Sequence, residues 1–478
     1  MYSITEFTEK IKLIRDPIYG FIEVPEDFLP ILDHKLVQRL RWISQLPLEQ
    51  LVYPSAQHSR FEHSIGVMHL SMQVAMTLIK DYYSWEKIES AFEKEAELSS
   101  LERKDKKKFF VFCAGICGLL HDLGHAPFSH TLENAICYTE KDIFYNHEAV
   151  TFFVAKKVLE GYNLYNGLLV KTVLTVLNKS LSEDDISPLK KVLRSIIDGV
   201  IDSDKGDYLL RDSYHCGVSY GHYDLERLWR HVRITSDWKL GVTEKGAVEG
   251  WSLRLARFKM YKNVYKHHVR NITDALLIDI LSKSFNDLNE KKIKDILPTF
   301  QLTSADLTEE EILRFSLWTD NEILRKLTEL QGEAVRSEVE SFMKRRLPGR
   351  FLSVFLEEFG IAEKKKDEIL KIRKVLKSLE EDKGYLILFL VNKEILPPVF
   401  TEDVQRDLLV VRDNGEEIPV AKYLGFSVND EDLEKYATPR LVLDIFAERN
   451  APDELKDIIR QRLKENLLRD INGQSKNI

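Results

Sequence analysis

The sequence predicts a mainly α protein, with a helical region over residues 1–300 and a smaller α+β domain over 301–478. Three observations carry that prediction. Apolar residues recur at helical spacing through most of the first 290 positions. Beyond residue 380, short apolar runs alternate with turn signals, as strands do. All 13 histidines fall between His34 and His268, so the groups that most often bind metals or move protons are confined to the helical part.

In "KLVQRLRWISQL" (35–46), Leu36, Leu40, Ile43 and Leu46 share one helical face. "HSIGVMHLSMQVAMTLIKDYY" (63–83) reads as one long, largely apolar helix. "KKKFFVFCAGICGLLHDLG" (106–124) is apolar nearly all round before its polar end, the mark of a central buried helix. Asn146 is placed to cap a helix over 146–159. Residues 239–251, "KLGVTEKGAVEGW", read as a short hairpin, and 256–285 as another long helix. In the C-terminal part, 363–384 is a charged amphipathic helix and "YLILFLV" (385–391) a strand. "DLLVVRDNGEEIPV" (407–420) is a hairpin turning at Asn414-Gly415. "RLVLDIFA" (440–447) is a strand expected to pair with these, and 452–467 is a final helix with acidic residues in its first turn. The boundary between the two parts falls at 290–305.

The chain has 478 residues, 44% hydrophobic and 31% charged, a composition that supports a large core in water. A net charge of −8 argues against nucleic-acid binding by the surface as a whole, but leaves room for a local cationic pocket. Nucleic acid as a partner stays open. Cys113 and Cys117 lie four apart on an apolar run, with Cys137 and Cys216 elsewhere and no second pair at zinc-finger spacing. They read as buried thiols in a reducing compartment. "MYSITEFTEKIKLIRD" has no apolar signal core and no run is long enough to cross a bilayer, so the expectation is a cytoplasmic protein without membrane contact.

The stretch "GLLHDLGHAPFSH" (118–130) sets His121, Asp122, His125 and His130 where Gly124, Ala126 and Pro127 end a helix. Taken alone, it is either a crowded helix terminus facing water or half of a metal site. Imidazole and carboxylate both bind first-row divalent metals. Neighbouring residues on a helix diverge by about 100°, so His121 and Asp122 share an ion only if other helices bring opposing ligands. "HSRFEHSIG" (58–66) offers His63 at a helix start, and "DSDKGDYLLRD" (202–212) offers Asp204. Donors on separate helices converge in this way in bundle-core metal sites. His125 stands one helical turn past His121. His130 lies beyond the Pro127 break, in a turn or a new helix.

The order His63, His121-Asp122, Asp204 resembles the H…HD…D pattern of the HD-domain metal-dependent phosphohydrolases. "DPIYGFIEV" (16–24), "QRLRWISQL" (38–46), "RFEHSIGV" (60–67), "HDLGHAPFSH" (121–130), "DKGDYLLRDSYHCGV" (204–218) and "YKHHVRNITDALLIDI" (265–280) look like the matching segments of its deoxynucleoside triphosphate triphosphohydrolase (dNTPase) branch. The likeness runs over residues 12–285. It implies an HD-domain helical phosphohydrolase core with His63, His121, Asp122 and Asp204 as metal ligands. The metal would be a divalent transition ion (Fe, Mn, Zn, Ni or Co), with Mg accompanying the triphosphate. By the same resemblance His125 contacts phosphate, His130 protonates the leaving 5′ oxygen, Glu133 orients that imidazole, and His147 is a further active-site histidine. Arg60, Lys205 and Arg257 match cations that hold the triphosphate. Tyr208 and Tyr265 match aromatics lining the sugar pocket, and Gln45 and Leu46 the pair at the sugar's 2′ and 3′ edges. A leucine at C2′ clashes with a ribose hydroxyl and cannot hydrogen-bond it, which favours deoxyribose. Asp33, Gln38 and Arg41, with Lys12 as a weaker match, resemble a guanine-nucleotide regulatory site.

The resemblance implies hydrolysis of dNTPs to deoxynucleoside and tripolyphosphate, activation by GTP or a dNTP, and a homo-oligomer, dimer or tetramer. Residues 301–478 are expected at the oligomer interface. Two alternatives stand beside this reading. One keeps the metal site but acts on another phosphoester, such as a nucleoside monophosphate or cyclic nucleotide. The other is a nucleotide-sensing protein with a vestigial site, against which the intact metal quartet and His130 count.

Overall fold

The computed structural model describes residues 1–297, 308–330, 332–394, 408–426 and 439–474. The expected boundary at 300/301, and Asp407 at the head of the expected hairpin, lie outside these residues. The chain is mainly helical with small sheets, as its apolar periodicity predicts. Among the described residues no helix is long and apolar enough to cross a membrane.

A hairpin opens the chain. β1 (Ile11–Asp16) pairs antiparallel with β2 (Gly20–Pro25), an element that the search for helical spacing overlooked. Its turn is built by the Asp16 carboxylate, which accepts the amides of Ile18 and Tyr19 at 2.8 and 3.0 Å, as aspartates do in tight turns.

Two long helices form the centre. α1 (Arg60–Lys80) starts on a capping box in which Ser59 and Glu62 satisfy each other's amides. It is buried almost throughout, small polar residues included. The single helix expected over 63–83 is two. The Asp81 carboxylate accepts the Ser84 amide at 2.9 Å and begins α2 (Tyr82–Glu93), because a well-placed cap competes with continuation of the first helix. α3 (Arg103–Leu120) packs along α1 and is wholly buried from Phe109 onward, as expected of it. α4 (His130–Cys137) and α5 (His147–Val158, capped by Asn146 as expected) follow in the chain, and α6 (Leu168–Leu177), α7 (Pro188–Ile197) and α8 (Ser203–Cys216) pack against the central pair.

The helix expected over 35–46 is α-helical only at Lys35–Gln38, passes into a 3-10 turn over Arg39–Trp42 and is extended at Ile43. There Asp320 accepts the Ser44 amide at 2.8 Å and the Ile43 carbonyl accepts the Arg60 amide at 2.9 Å. Partners outside the segment displace the next helical bonds. The hairpin expected over 239–251 lies earlier: β3 (Val232–Ile234) pairs with β4 (Leu240–Val242), and the chain is helical from Glu244. The Trp238 amide returns to the Thr235 carbonyl at 3.1 Å, so the turn precedes Lys239. The helix expected over 256–285 is also divided. α9 (Ala247–Met260) runs into a π-helical turn at Tyr261–Tyr265, and α10 (His268–Asp287) restarts where the His267 ring accepts the Val269 amide. π turns gather at functional sites, and this one carries Tyr265 and Lys266 to the wall of a cavity.

The C-terminal part holds α11 (Glu309–Ser316), α12 (Asp320–Leu330), α13 (Glu333–Met343), α14 (Lys366–Lys383) and α15 (Glu454–Gln474). Its strands are β5 (Gly349–Phe355), β6 (Ile387–Lys393), β7 (Leu409–Val411), β8 (Glu417–Pro419) and β9 (Leu441–Ala447). β9 lies between β5 and β6, antiparallel to both, so it pairs with the 385–391 strand as expected. The β7–β8 hairpin does not join them. β7 runs parallel to β4, with Val410 opposite Val242, and so extends the sheet begun by β3 and β4. The two parts of the chain share a sheet.

Candidate active site

α3 ends at Leu120 because the chain turns to meet α5. Gly124 lies so close to α5 that a Cβ there would meet the His147 carbonyl and the Thr151 amide; only glycine permits the approach. His121 occupies the C-cap of α3, and its Nδ1–H donates to the Gly118 carbonyl at 2.8 Å. A carbonyl only accepts, so Nε2 keeps its lone pair. His63, on the first turns of α1, donates its Nδ1–H to Asp207 at 2.8 Å, which leaves Nε2 free in the same way. Both Nε2 atoms are buried and make no hydrogen bond. They lie 3.0 Å (His63) and 3.6 Å (His121) from one oxygen of Asp204, in the first turn of α8.

Two buried imidazole lone pairs converging on a carboxylate suit a divalent transition metal, and these three residues can hold one. The field of the site agrees. Burial alone would raise the Asp204 pKa, yet His121 and His63 pull it far below the usual carboxylate range. Burial alone would lower that of His63, but Asp204 and Asp207 outweigh it and hold it up to about 10. The carboxylates therefore favour positive charge at the two Nε2 atoms, a proton where no ion is bound or a divalent cation in its place. Asp122, expected as the fourth ligand, borders the same space, with Oδ2 3.8 Å from His63 Nε2 and Oδ1 3.4 Å from His121 Nε2. In this structure its Oδ2 is engaged by the Arg60 guanidinium.

Behind His63 stands a buried network that the motif reading missed. Arg211 clamps Asp207 with two bonds, at 2.9 and 2.8 Å, and reaches Asp16 at 2.8 Å, while the Tyr19 hydroxyl donates to Asp207 at 2.9 Å. Such outer partners fix the ring and tautomer of a ligating histidine. A Cβ on Gly66 would fall on Asp207 Oδ1 and Arg211 Nη2. Gly66→Ala is expected to cost about 3 kcal/mol or more through overpacking, read as a lowered denaturation midpoint, and to weaken metal retention. A stability equal to the parent chain's would contradict this packing.

His130 follows a turn in which Phe128 and Ser129 have φ of 55° and 51°. Such left-handed backbone persists only where its surroundings hold it. Asp320 does so from the C-terminal part by accepting the Phe128 amide at 2.8 Å, and Arg60 donates to Ser129 Oγ at 2.9 Å. Glu133 then bridges two histidines, His130 Nδ1 at 3.0 Å and His147 Nδ1 at 2.8 Å. Burial would raise Glu133, but these two imidazoles hold it far below the normal carboxylate range. His125 is buried, stacks on His147 with centroids 4.2 Å apart, and is held neutral by burial and by Arg60.

One cavity of about 570 Å³ gathers these groups. Asp204, Asp122, His125, His130, Glu133 and His147 line one side. Arg60, Lys205 and Arg257 bring positive charge beside them, and Gln45, Leu46, Tyr208 and Tyr265 complete the wall. Lys205 is already tied to Asp202 and to the Gly199 carbonyl. Gln45 Oε1 is buried without a partner. Lys266, Arg270, Glu49, Asp212 and Asp274 also line the cavity and escaped the sequence reading. Asp212 had a signal: it lies eight residues after Asp204 and four after Tyr208, on one face of α8, and it accepts the Tyr265 hydroxyl at 2.6 Å. Lys266 had none, since burial and Asn392 of β6, 2.6 Å away, place it. Lys12, Asp33, Gln38 and Arg41 do not reach this cavity. Gln38 accepts from Arg41 Nε at 2.7 Å, and Arg41 lies 3.6 Å over the Phe61 ring.

In comparison with known proteins, the HD domain family matches residues 60–202 and the HD associated region matches 223–388. The chain carries an HD domain. Asp204 stands two residues past the end of that match. This HD-domain chain is 36% identical over 60% of its length to an uncharacterized protein of Methanocaldococcus jannaschii, covering 52% of that protein. It is 30% identical over 58% of its length to the deoxynucleoside triphosphate triphosphohydrolase SAMHD1 of Homo sapiens, covering 45% of it. The chain thus spans about half the length of these curated relatives. A hypothetical protein from Aquifex aeolicus superposes with a TM-score of 0.62 at 26% identity, over 95% of this chain and 100% of that one. A phosphohydrolase from Bacteroides thetaiotaomicron, at 20% identity and a TM-score of 0.64, shares the fold over 92% of this HD-domain chain and all of its own. HD domains bind divalent metals, in keeping with the donor set of His63, His121 and Asp204.

Proposed function

We propose that this protein is a metal-dependent phosphohydrolase that cleaves dNTPs to a deoxynucleoside and tripolyphosphate. The observation that carries this reading is one cavity in which the carboxylates of the metal-ligand set, Asp122 and Asp204, meet the His130–Glu133–His147 group, the cations Arg60, Lys205 and Arg257, and a wall of Leu46, Tyr208 and Tyr265. Its volume suits a small ligand. Similarity to SAMHD1, named a deoxynucleoside triphosphate triphosphohydrolase, supports the substrate class.

When bound, a divalent metal supplies Lewis acidity to a phosphoryl oxygen and to water. His63, His121, Asp204 and Asp122 would hold it, and Arg60, Lys205 and Arg257 balance the charge of the chain of phosphates. Water's oxygen bonds to the α-phosphorus as the bond to the 5′ oxygen breaks. That oxygen takes its proton from His130, which Glu133 orients, and the proton that the attacking water gives up passes to solvent, from which the exposed His130 ring is protonated again. Leu46 packs at the deoxyribose edge. Catalysis is assigned to residues 1–300, nucleotide activation to Lys12, Asp33, Gln38 and Arg41, and a homo-oligomer interface to residues 301–478.

The test is release of inorganic tripolyphosphate from each dNTP, with and without GTP or dATP. Release of a nucleoside monophosphate and pyrophosphate would refute the mechanism. Leu46→Ala opens space at the 2′ edge, and discrimination against ribonucleotides is expected to fall about 10-fold or more in kcat/KM. Unchanged discrimination would remove Leu46 from the sugar pocket.

A further inference from the structure

The metal donors stand between two cavities. Besides the substrate cavity, a smaller one of about 150 Å³ opens behind them. Asp122, His147 and Asp204 line both, but His121 lines only the rear one. We infer that the rear cavity is the path by which the divalent cation enters and leaves, separate from the path of the substrate. The inference rests on the metal reading given above and concerns how the ion arrives, not whether it is bound.

Charge and geometry both favour it. The substrate cavity sets five cations, Arg60, Lys205, Arg257, Lys266 and Arg270, against six carboxylates, Glu49, Asp122, Glu133, Asp204, Asp212 and Asp274, so its charges nearly cancel and an ion entering there passes five like charges. The rear wall carries four carboxylates, Asp122, Glu148, Asp198 and Asp204, against Lys179 and Arg194. Both of those cations are committed. Arg194 donates to the carbonyls of Leu181 and Asn178 at 3.0 Å each, closing the end of α6, and Lys179 is paired with Asp198. Glu148, in the first turn of α5, is exposed and faces incoming ions. The buried and unpartnered Nε2 of His121 lies at the inner end. A triphosphate filling the front cavity would shut that route, so a rear opening lets the ion exchange while substrate is bound.

The probe is Co²⁺ alone, mixed with the metal-stripped full-length chain and followed by its visible absorption, with release measured into excess chelator. Glu148→Lys leaves the packing intact and is expected to slow uptake about threefold or more, the deficit shrinking as salt rises. Val176→Phe narrows the rear cavity and is expected to slow uptake and release together, on the order of tenfold, leaving the affinity unchanged. Lys179→Ala removes the ion pair with Asp198 and is expected to speed both. With a non-hydrolysable dNTP analogue in the front cavity, whose phosphate adds a ligand to the ion, release is expected to slow but to continue, and to stay sensitive to Val176→Phe. If the analogue stops release while the rear variants keep parental rates, the path runs through the front and the inference falls. A folded chain that takes up no Co²⁺ refutes the metal reading itself, and the inference with it. Uptake at rates indifferent to Glu148→Lys refutes the rear path alone.

Discussion

Asp204→Ala is expected to empty the metal site and to lower turnover by about 10³-fold or more, since a Lewis acid contributes several kcal/mol at a phosphoryl transition state. One oxygen of this carboxylate faces both unpartnered imidazole nitrogens, at 3.0 and 3.6 Å. Its loss removes the negative charge that makes the pocket a cation site and leaves Asp122, already shared with Arg60, as the remaining carboxylate at the ligands. Metal content per chain, measured after dialysis, should fall with activity while the denaturation midpoint shows the fold retained. A graded control follows from the network behind His63. Asp207→Asn keeps the shape but gives up the charge that Arg211 and His63 share, and should weaken metal binding about 10- to 100-fold. Parental metal content and turnover in Asp204→Ala would overturn the assignment of the site.

His130→Ala is expected to lower kcat by about 10²- to 10⁴-fold with metal content unchanged. The His130 side chain is 62% exposed, at the lip of the cavity, so its removal leaves no void and a loss of stability cannot explain a loss of rate. Its Nδ1 is held by Glu133, which leaves Nε2 to face a leaving group. The discriminating measurement uses a substrate whose leaving group needs no proton, such as a nitrophenyl phosphoester. There the variant should lose far less than on a dNTP, because the missing acid is no longer required. An equal loss on both substrates would reduce His130 to a binding residue. Glu133→Gln should share part of the defect, since the same carboxylate orients His147.

Much of this site was legible because its residues come in short local groups. His121 to His130 are neighbours in the chain, and the helix carrying His121 is marked by its own apolar run. α8 likewise brings Asp204, Tyr208 and Asp212 onto one face by spacing alone. The misread elements share a different cause. The helix expected through Ile43 stops because Asp320, far along the chain, takes the Ser44 amide. The helix expected across 256–285 breaks at a π turn that no proline or glycine announces. In both places local propensity favoured continuation; at Ile43 the distant Asp320 takes the next amide, and at the π turn Tyr265 and Lys266 are held by Asp212 and Asn392 while the His267 ring starts the next helix.

The sequence by itself determined the residue types, their order, and the helical periodicity that carries them, and so the mainly α class; the four ligands are expected from the family pattern that the order of His63, His121, Asp122 and Asp204 resembles. Only the tertiary structure decided that the His63 and His121 lone pairs meet over Asp204 with no other partner, and that Asp207, Arg211 and Asp16 stand behind them. It also decided that Asp320 and Asn392, from the C-terminal part, buttress the turn before His130 and the cavity wall. The reason is physical. Periodicity records which face of a segment is buried, whereas the partner of a buried polar group is set by where packing brings another segment. Nothing in either segment alone encodes that distance.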